Sequence, residues 1–207
     1  MSKTKNKILN TARVLFNSSG YSNVTIRMIA QELGMSSGNL NYHFKKREDI
    51  LEALYFEMVS AFDARVEQLG EREINFMNIQ SDILTSMERM VEYRFIWTDL
   101  YHILQLNNKI KIHFEKVYHD RSKGYVYLFE TLKQRDYLKS FASKKEQELL
   151  IENMLGFSNT WIYNSILYNN EMNKNYMKKQ SESLLLMLYP YLTEKGKTEF
   201  KKVVSIF

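Results

Sequence analysis

Apolar positions recur every three to four residues along nearly the whole chain, a spacing that predicts helix after helix. Ile8, Leu9, Ala12, Leu15 and Phe16 mark the inner face of a first helix over 4–19, closed by Gly20. Ile26, Ile29, Ala30 and Leu33 mark a second over 25–33. Thr25 opens that helix with a side chain suited to N-capping, and Gly34 follows where a left-handed residue ends a helix. Ser36 and Ser37 can cap a third helix over 37–43, whose buried stripe is Leu40 and Phe44. A fourth begins at Lys46 or Arg47 and runs through Ile50, Leu51, Leu54, Met58, Ala61 and Phe62 towards Leu69, with Gly70 as its expected end. Further helices are predicted over 75–93, 95–106, 109–135, 144–168 and 174–189, the last stopped by Pro190, and over 194–205. One proline and seven glycines among 207 residues support an all-α fold, since a β protein of this size needs many more turn residues.

The third helix differs from the others in its outer face. Ser37, Asn39, Asn41 and His43 stand there, small polar groups where long charges are usual. A helix that enters a DNA groove presents such a face. Charge points the same way. Residues 1–50 carry eight Lys or Arg against three acids, so the chain's whole net charge of +5 resides in its first quarter. A polyanion is therefore drawn to the N-terminal part. There is no cysteine, which excludes disulfides, thiolate metal sites and a cysteine nucleophile. The N-terminal MSKTKNKILN lacks the apolar core of a signal peptide, and no apolar run reaches the ~18 residues of a membrane span. A cytoplasmic location without membrane contact is expected.

The ordered series Ala12-Arg13-Val14-Leu15-Phe16, Gly20-Tyr21, Thr25-Ile26-Arg27, Ile29-Ala30, Leu33-Gly34-Met35-Ser36 and Leu40-x-Tyr42-His43-Phe44-Lys45 covers about the first quarter of the chain. It resembles the DNA-binding domain of the TetR family of bacterial transcription regulators. The resemblance implies a three-helix domain with a helix-turn-helix over 1–48, followed over 49–207 by a larger helical domain for effector binding and dimerisation. It also implies that the third helix enters the major groove. Ser37, Asn39 and Asn41 then lie near base edges, where an asparagine reads adenine with two hydrogen bonds, and Ser36 belongs to the same DNA-binding surface. Gly38 lets that helix sit close to DNA. Tyr42, His43 and Arg47 match phosphate-contacting positions, with Lys46 assisting. Thr25, the free amides that follow it and Arg27 form a second expected phosphate contact.

The family acts as two-fold dimers on near-palindromic operators, so a homodimer on double-stranded DNA is expected. Leu150, Met154, Gly156 and Phe157 on one late helix, and Leu184 and Leu188 on the next, are the candidate interface. Helical spacing alone leaves open which of them belong to the monomer core. The middle of the chain is the candidate sensor. Phe95, Trp97, Tyr101, His102, Phe114, Tyr118, Tyr125, Phe129 and Trp161 would line a pocket for a small apolar or aromatic effector, whose binding releases the repressor from DNA. The alternative is a DNA-binding regulator controlled by a protein partner, with no small-molecule pocket. Asp99 with His102, and Glu115 with His119, stand at helical spacing, but no metal, phosphate-loop or nucleophile motif accompanies them. Neither an enzyme nor a bound cofactor or metal is expected.

Overall fold

A computed structural model of the chain describes residues 2–69 and 73–204, the side chains of 64–69 excepted. It contains eleven α-helices among the described residues: α1 Lys3–Ser19, α2 Ile26–Glu32, α3 Ser37–His43, α4 Arg47–Leu69, α5 Phe76–Glu92, α6 Arg94–Thr98, α7 Leu100–Leu106, α8 Asn108–Gln134, α9 Lys144–Leu167, α10 Lys174–Leu186 and α11 Glu194–Phe200. Leu138 and Leu192 form one isolated antiparallel bridge. The all-α expectation holds. Gly70 and Ser205, the expected ends of two helices, lie outside the described residues.

By contacts the chain divides into two compact units, Met1–Glu67 with Glu92–His113, and Gln68–Val91 with Phe114–Phe207. The units follow packing rather than the functional boundary expected at residue 48.

The first unit is built on short, individually capped helices. The Ser2 hydroxyl caps α1, the Thr25 hydroxyl accepts the Met28 amide at 3.2 Å, and the Ser36 hydroxyl accepts the Asn39 amide at 3.2 Å. Gly34, at φ 62°, turns the chain out of α2 while its amide returns to the Gln31 carbonyl and that of Met35 to Ala30. That left-handed turn is open to glycine at little cost. The three helices close on Ile8, Leu9, Ala12, Phe16, Ile29, Ala30 and Leu40, all essentially inaccessible, with Ile50, Leu51 and Leu54 of α4.

The sequence pattern predicts one helix over 95–106, and the structure breaks it at Asp99. The Asp99 carboxylate accepts the Tyr21 amide at 2.8 Å, just beyond the end of α1. An aspartate that bonds a backbone amide elsewhere favours a non-helical backbone, and Asp99 sits at φ −109°, ψ 16°. Nearby contacts repeat the pattern. Asn17 donates to the Glu92 carbonyl at 2.8 Å and accepts the Phe95 amide at 3.1 Å, and Arg13 pairs with Glu92. Phe95 packs on Phe16 with ring centroids 5.2 Å apart.

The second unit has a larger apolar centre. Phe129 and Leu132 of α8, Leu150, Ile151, Met154 and Leu155 of α9, Leu184 and Leu185 of α10, and Phe200 of α11 meet there. Helix α10 ends at Leu186, three residues before the predicted end, and Pro190 falls inside a short 3-10 turn at Tyr189–Tyr191. The next segment is pinned to the loop after α8. Lys139 donates to the Tyr191 carbonyl at 2.8 Å, and Thr193 to the Tyr137 carbonyl at 3.1 Å. Gly196 lies against the same carbonyl so closely that an added Cβ would overlap it.

Candidate nucleic-acid interface

Helix α3 buries only Leu40 of its seven residues. Gly38, Asn39, Asn41 and Tyr42 are exposed, Tyr42 at 86%, and Ser37 and His43 are half-buried. The Tyr42 and His43 rings meet edge to face at 5.3 Å. An added Cβ at Gly38 would meet nothing nearer than the Ser36 hydroxyl at 4.0 Å. Nothing inside the chain therefore requires a glycine there. The exposed Arg27 on α2 and the exposed Lys45 and Lys46 before α4 add positive charge in the same unit. The Thr25 and Ser36 hydroxyls are engaged as helix caps, so their first role is to hold α2 and α3 in place.

Arg47 is engaged inside its own unit. Its Nη1 donates to the carbonyls of Tyr21 at 3.1 Å and Val24 at 2.9 Å, and lies 3.4 Å from that of Ser22. Its guanidinium stacks 4.1 Å from the centre of the Tyr21 ring. This side chain clamps the turn between α1 and α2, adding a charged donor to the Tyr21 carbonyl, which also accepts the Val24 amide, and to those of Ser22 and Val24. Burial pushes the Tyr21 hydroxyl up to about 12, although Arg47 beside it pulls the other way. No pattern of apolar spacing signals a clamp of this kind, because its acceptors are backbone atoms.

The candidate interface residues fall on both sides of the chain's own surface. Leu150, Met154, Leu184 and Leu188 lie in the core of their own chain, at 8% exposure or less, and Phe157 packs against that core. Gly156 is exposed, and an added Cβ there meets nothing within 4 Å. The exposed apolar residues of α9 are others: Leu149, Tyr163, Ile166 and Leu167, with Leu186 on α10. Helical spacing identifies apolar positions but not the neighbour that covers them.

The nine expected pocket residues do not gather in one unit. Phe95, Trp97, Tyr101 and His102 belong to the first; Phe114, Tyr118, Tyr125, Phe129 and Trp161 belong to the second. Phe95, Phe129 and Trp161 are fully buried, Tyr101 is 80% exposed, and His102 is exposed. Two surface concavities are present, one of about 430 Å³ lined by Asp49, Glu52, Phe56 and Glu57, the other of about 350 Å³ lined by Ser143, Glu146, Leu149 and Tyr191. None of the nine lines either. In the first unit, Lys109 bridges to Glu52 at 2.5 Å and sits over the Phe56 ring, and the Tyr55 hydroxyl lies 3.0 Å from His113 Nδ1. The Lys109 ammonium holds the Glu52 carboxyl below the usual range. Asp99, half of one candidate acid–base pair, is engaged with the Tyr21 amide.

A capped helix-turn-helix with a polar, sparsely buried second helix, followed by a larger helical region, defines a DNA-binding transcription regulator of the helix-turn-helix class. Family comparison is more specific. The model for bacterial regulatory proteins of the tetR family matches residues 8–54, and the TetR model described as bacterial transcriptional repressor matches residues 57–200. The chain belongs to the TetR family of bacterial transcription regulators. It is similar to the probable HTH-type transcriptional regulator YttP of Bacillus subtilis, at 26% identity over 91 residues, 44% of each chain. The match thus spans less than half of that relative. Among solved structures, a TetR-family transcriptional regulator from Marinobacter aquaeolei superposes with a TM-score of 0.87 at 21% identity, covering 97% of both chains. The ketosteroid transcriptional regulator KstR2 of Mycobacterium tuberculosis superposes at 0.72 with 17% identity, covering 94% of this chain and 97% of its own. At these identities the likeness speaks for the fold. No helix among the described residues is long and apolar enough to cross a membrane.

Proposed function

We propose that the protein is a repressor that binds a near-palindromic operator as a homodimer and leaves it when a small apolar or aromatic effector binds. The observation that carries the reading is the exposed face of α3, where Gly38 keeps the surface low for no reason internal to the chain. Asn39 and Asn41 are the base-reading residues, with Ser37 beside them. Tyr42, His43, Lys46 and Arg27 hold phosphates, which gives affinity without sequence information.

The dimer contact proposed is the outer stripe of α9. Leu149, Gly156 and Tyr163 recur every seven residues on that face and all are exposed. The bare backbone at Gly156 leaves room for a partner helix, and a four-helix arrangement from two copies buries such a stripe. Light scattering that shows a 24.8 kDa particle would contradict the dimer.

Control by a protein partner is the second reading. The burial of Phe95 and Phe129 in their own units favours it, because filled cores leave those rings no ligand to line. Binding of purified protein to its own upstream intergenic DNA, at two salt concentrations and against random DNA, tests the proposal. Salt-dependent binding that survives the competitor is expected. Equal loss on both DNAs refutes an operator there, and release by added small molecules separates the two modes of control.

A further inference from the structure

Helix α8 is unevenly covered along its inner side. Phe129 and Leu132 are fully buried, but Phe114, Val117, Arg121 and Tyr125, on successive turns before them, are only half-buried. In the middle of this under-covered stretch stands a cation. Arg121 Nη1 donates to Asn159 Oδ1 of α9 at 3.0 Å, and the Tyr125 hydroxyl lies beside the guanidinium. No carboxylate among the described residues pairs with it, whereas Lys133, Arg135, Lys144, Lys178, Lys197 and Lys202 of the same unit all have acidic partners. Three of those six, Lys133, Arg135 and Lys197, are half-buried as Arg121 is, so depth alone does not account for its lack of a carboxylate. Burial alone pulls the Arg121 pKa below its ordinary value.

A guanidinium has five N–H donors in a planar fork and no acceptor. Asn159 offers only an amide oxygen, and the rest of the half-buried fork stays within reach of solvent and of an incoming oxygen. One donor elsewhere in the same unit does lack an acceptor. Trp161 of α9 is fully buried, and its Nε1–H meets none among the described residues. Buried donors without acceptors are rare in native proteins and mark an absent water, ion or ligand. Trp161 meets that description by itself; Arg121, only half-buried, calls instead for a negative oxygen as counter-charge.

We infer that Arg121, seated by Asn159, recognises the carboxylate of a small organic acid whose apolar body lies along the Phe114–Tyr125 face of α8. This rests on the effector reading above and sharpens its ligand class from apolar to amphipathic and anionic. A carboxylate fits the open edge of the fork with two parallel hydrogen bonds, a match that a lysine ammonium does not offer. The half-buried rings supply the apolar contact, and the semi-open cover lets the ligand reach the charge.

The test uses the full chain with octanoate and 4-phenylbutyrate, each beside its primary amide, at constant ionic strength. Thermal unfolding and quenching of tryptophan fluorescence report binding. The acids are expected to raise the unfolding midpoint and the amides to bind at least about tenfold more weakly, the loss of one charged contact. Arg121→Met is expected to abolish that difference. Without ligand it should melt no lower than the wild type, because it removes an unpaired charge at similar volume. Asn159→Ala should weaken the acids only. Acids and amides acting alike, neither acting at all, or Arg121→Met melting well below the wild type would each overturn the assignment, the last by making Arg121 a structural strut. The operator complex separates this from the parent reading. Amides that release DNA as well as the acids keep ligand release and remove the anion site. Acids that bind through Arg121 and leave the complex intact keep the site and remove ligand release.

Discussion

Helices α3 and α9 begin alike and end up serving opposite purposes. Each starts at a serine whose hydroxyl accepts the amide three residues on, Ser36 from Asn39 and Ser143 from Glu146. Each carries an exposed glycine with open space around it, Gly38 in the first turn of α3 and Gly156 midway along α9. Helix α3 then buries a single side chain and turns small polar groups outward, whereas α9 buries eight and still exposes Leu149, Tyr163, Ile166 and Leu167. A polar outer face announces a polar partner, because small amides and hydroxyls on an otherwise bare helix have no other use. An apolar outer face is silent, since core and interface are built of the same residues.

The largest effect should come where a glycine has no space at all. Gly196→Ala would push a Cβ into the Tyr137 carbonyl, and we expect a loss of about 3 kcal/mol or more in unfolding free energy. The same change at Gly38 or Gly156 should leave stability level or raise it by up to ~1 kcal/mol, since alanine favours a helix. Denaturant unfolding of the three variants decides the matter, and equal losses would dissolve the distinction between closed and open glycines.

Arg47→Ala comes next. It removes a charged donor from three carbonyls, and about 2–3 kcal/mol of stability should go with it, while Tyr42→Ala costs stability almost nothing and weakens binding to every DNA sequence. If Arg47→Ala unfolds like the wild type and loses only DNA affinity, the arginine is a phosphate contact after all.

Buried tyrosines give a comparable effect read through pH. Burial pushes Tyr21 and Tyr55 each up to about 12 from an ordinary 10. Their contribution is complete below about pH 10. It is lost as pH rises through 12, because the unfolded chain releases those protons first. About 2–3 kcal/mol per tyrosine is at stake, and Tyr55→Phe should flatten the alkaline limb of the stability curve.

Gentler changes address the outer faces themselves. Asn39→Ala should shift operator preference by about 1–3 kcal/mol at one base position, measured by competition among variant operators; equal losses on operator and random DNA would reduce Asn39 to a general contact. Gly156→Arg should leave each copy folded and convert the dimer to a monomer in light scattering. A dimer that survives it would move the interface off α9.

Legibility followed the range of the interactions. The bounds of α3 and the capping roles of Thr25 and Ser36 were readable because a cap is a contact over three residues. The break at Asp99 was not, because its cause is the Tyr21 amide, 78 residues away in the chain. The clamp of Arg47 on Tyr21 and Val24 was hidden for the same reason, as was the assignment of Leu150, Met154, Leu184 and Leu188 to the chain's own core. Arg121 drew no notice in the sequence, where one arginine on a long helix looks like any other. Its distinction, a half-buried cation with no carboxylate partner among the described residues, exists only once its neighbours are in place.

By itself the sequence determined a helical chain, a capped helix-turn-helix and a basic head with a polar outer face on its third helix, since these depend on residues a few positions apart and on summed charge. Tertiary structure alone decided which apolar faces are covered, which arginine clamps a turn, which has no carboxylate partner among the described residues, and why Gly196 has no room beside the Tyr137 carbonyl. Those outcomes depend on distances between residues that the chain order does not contain.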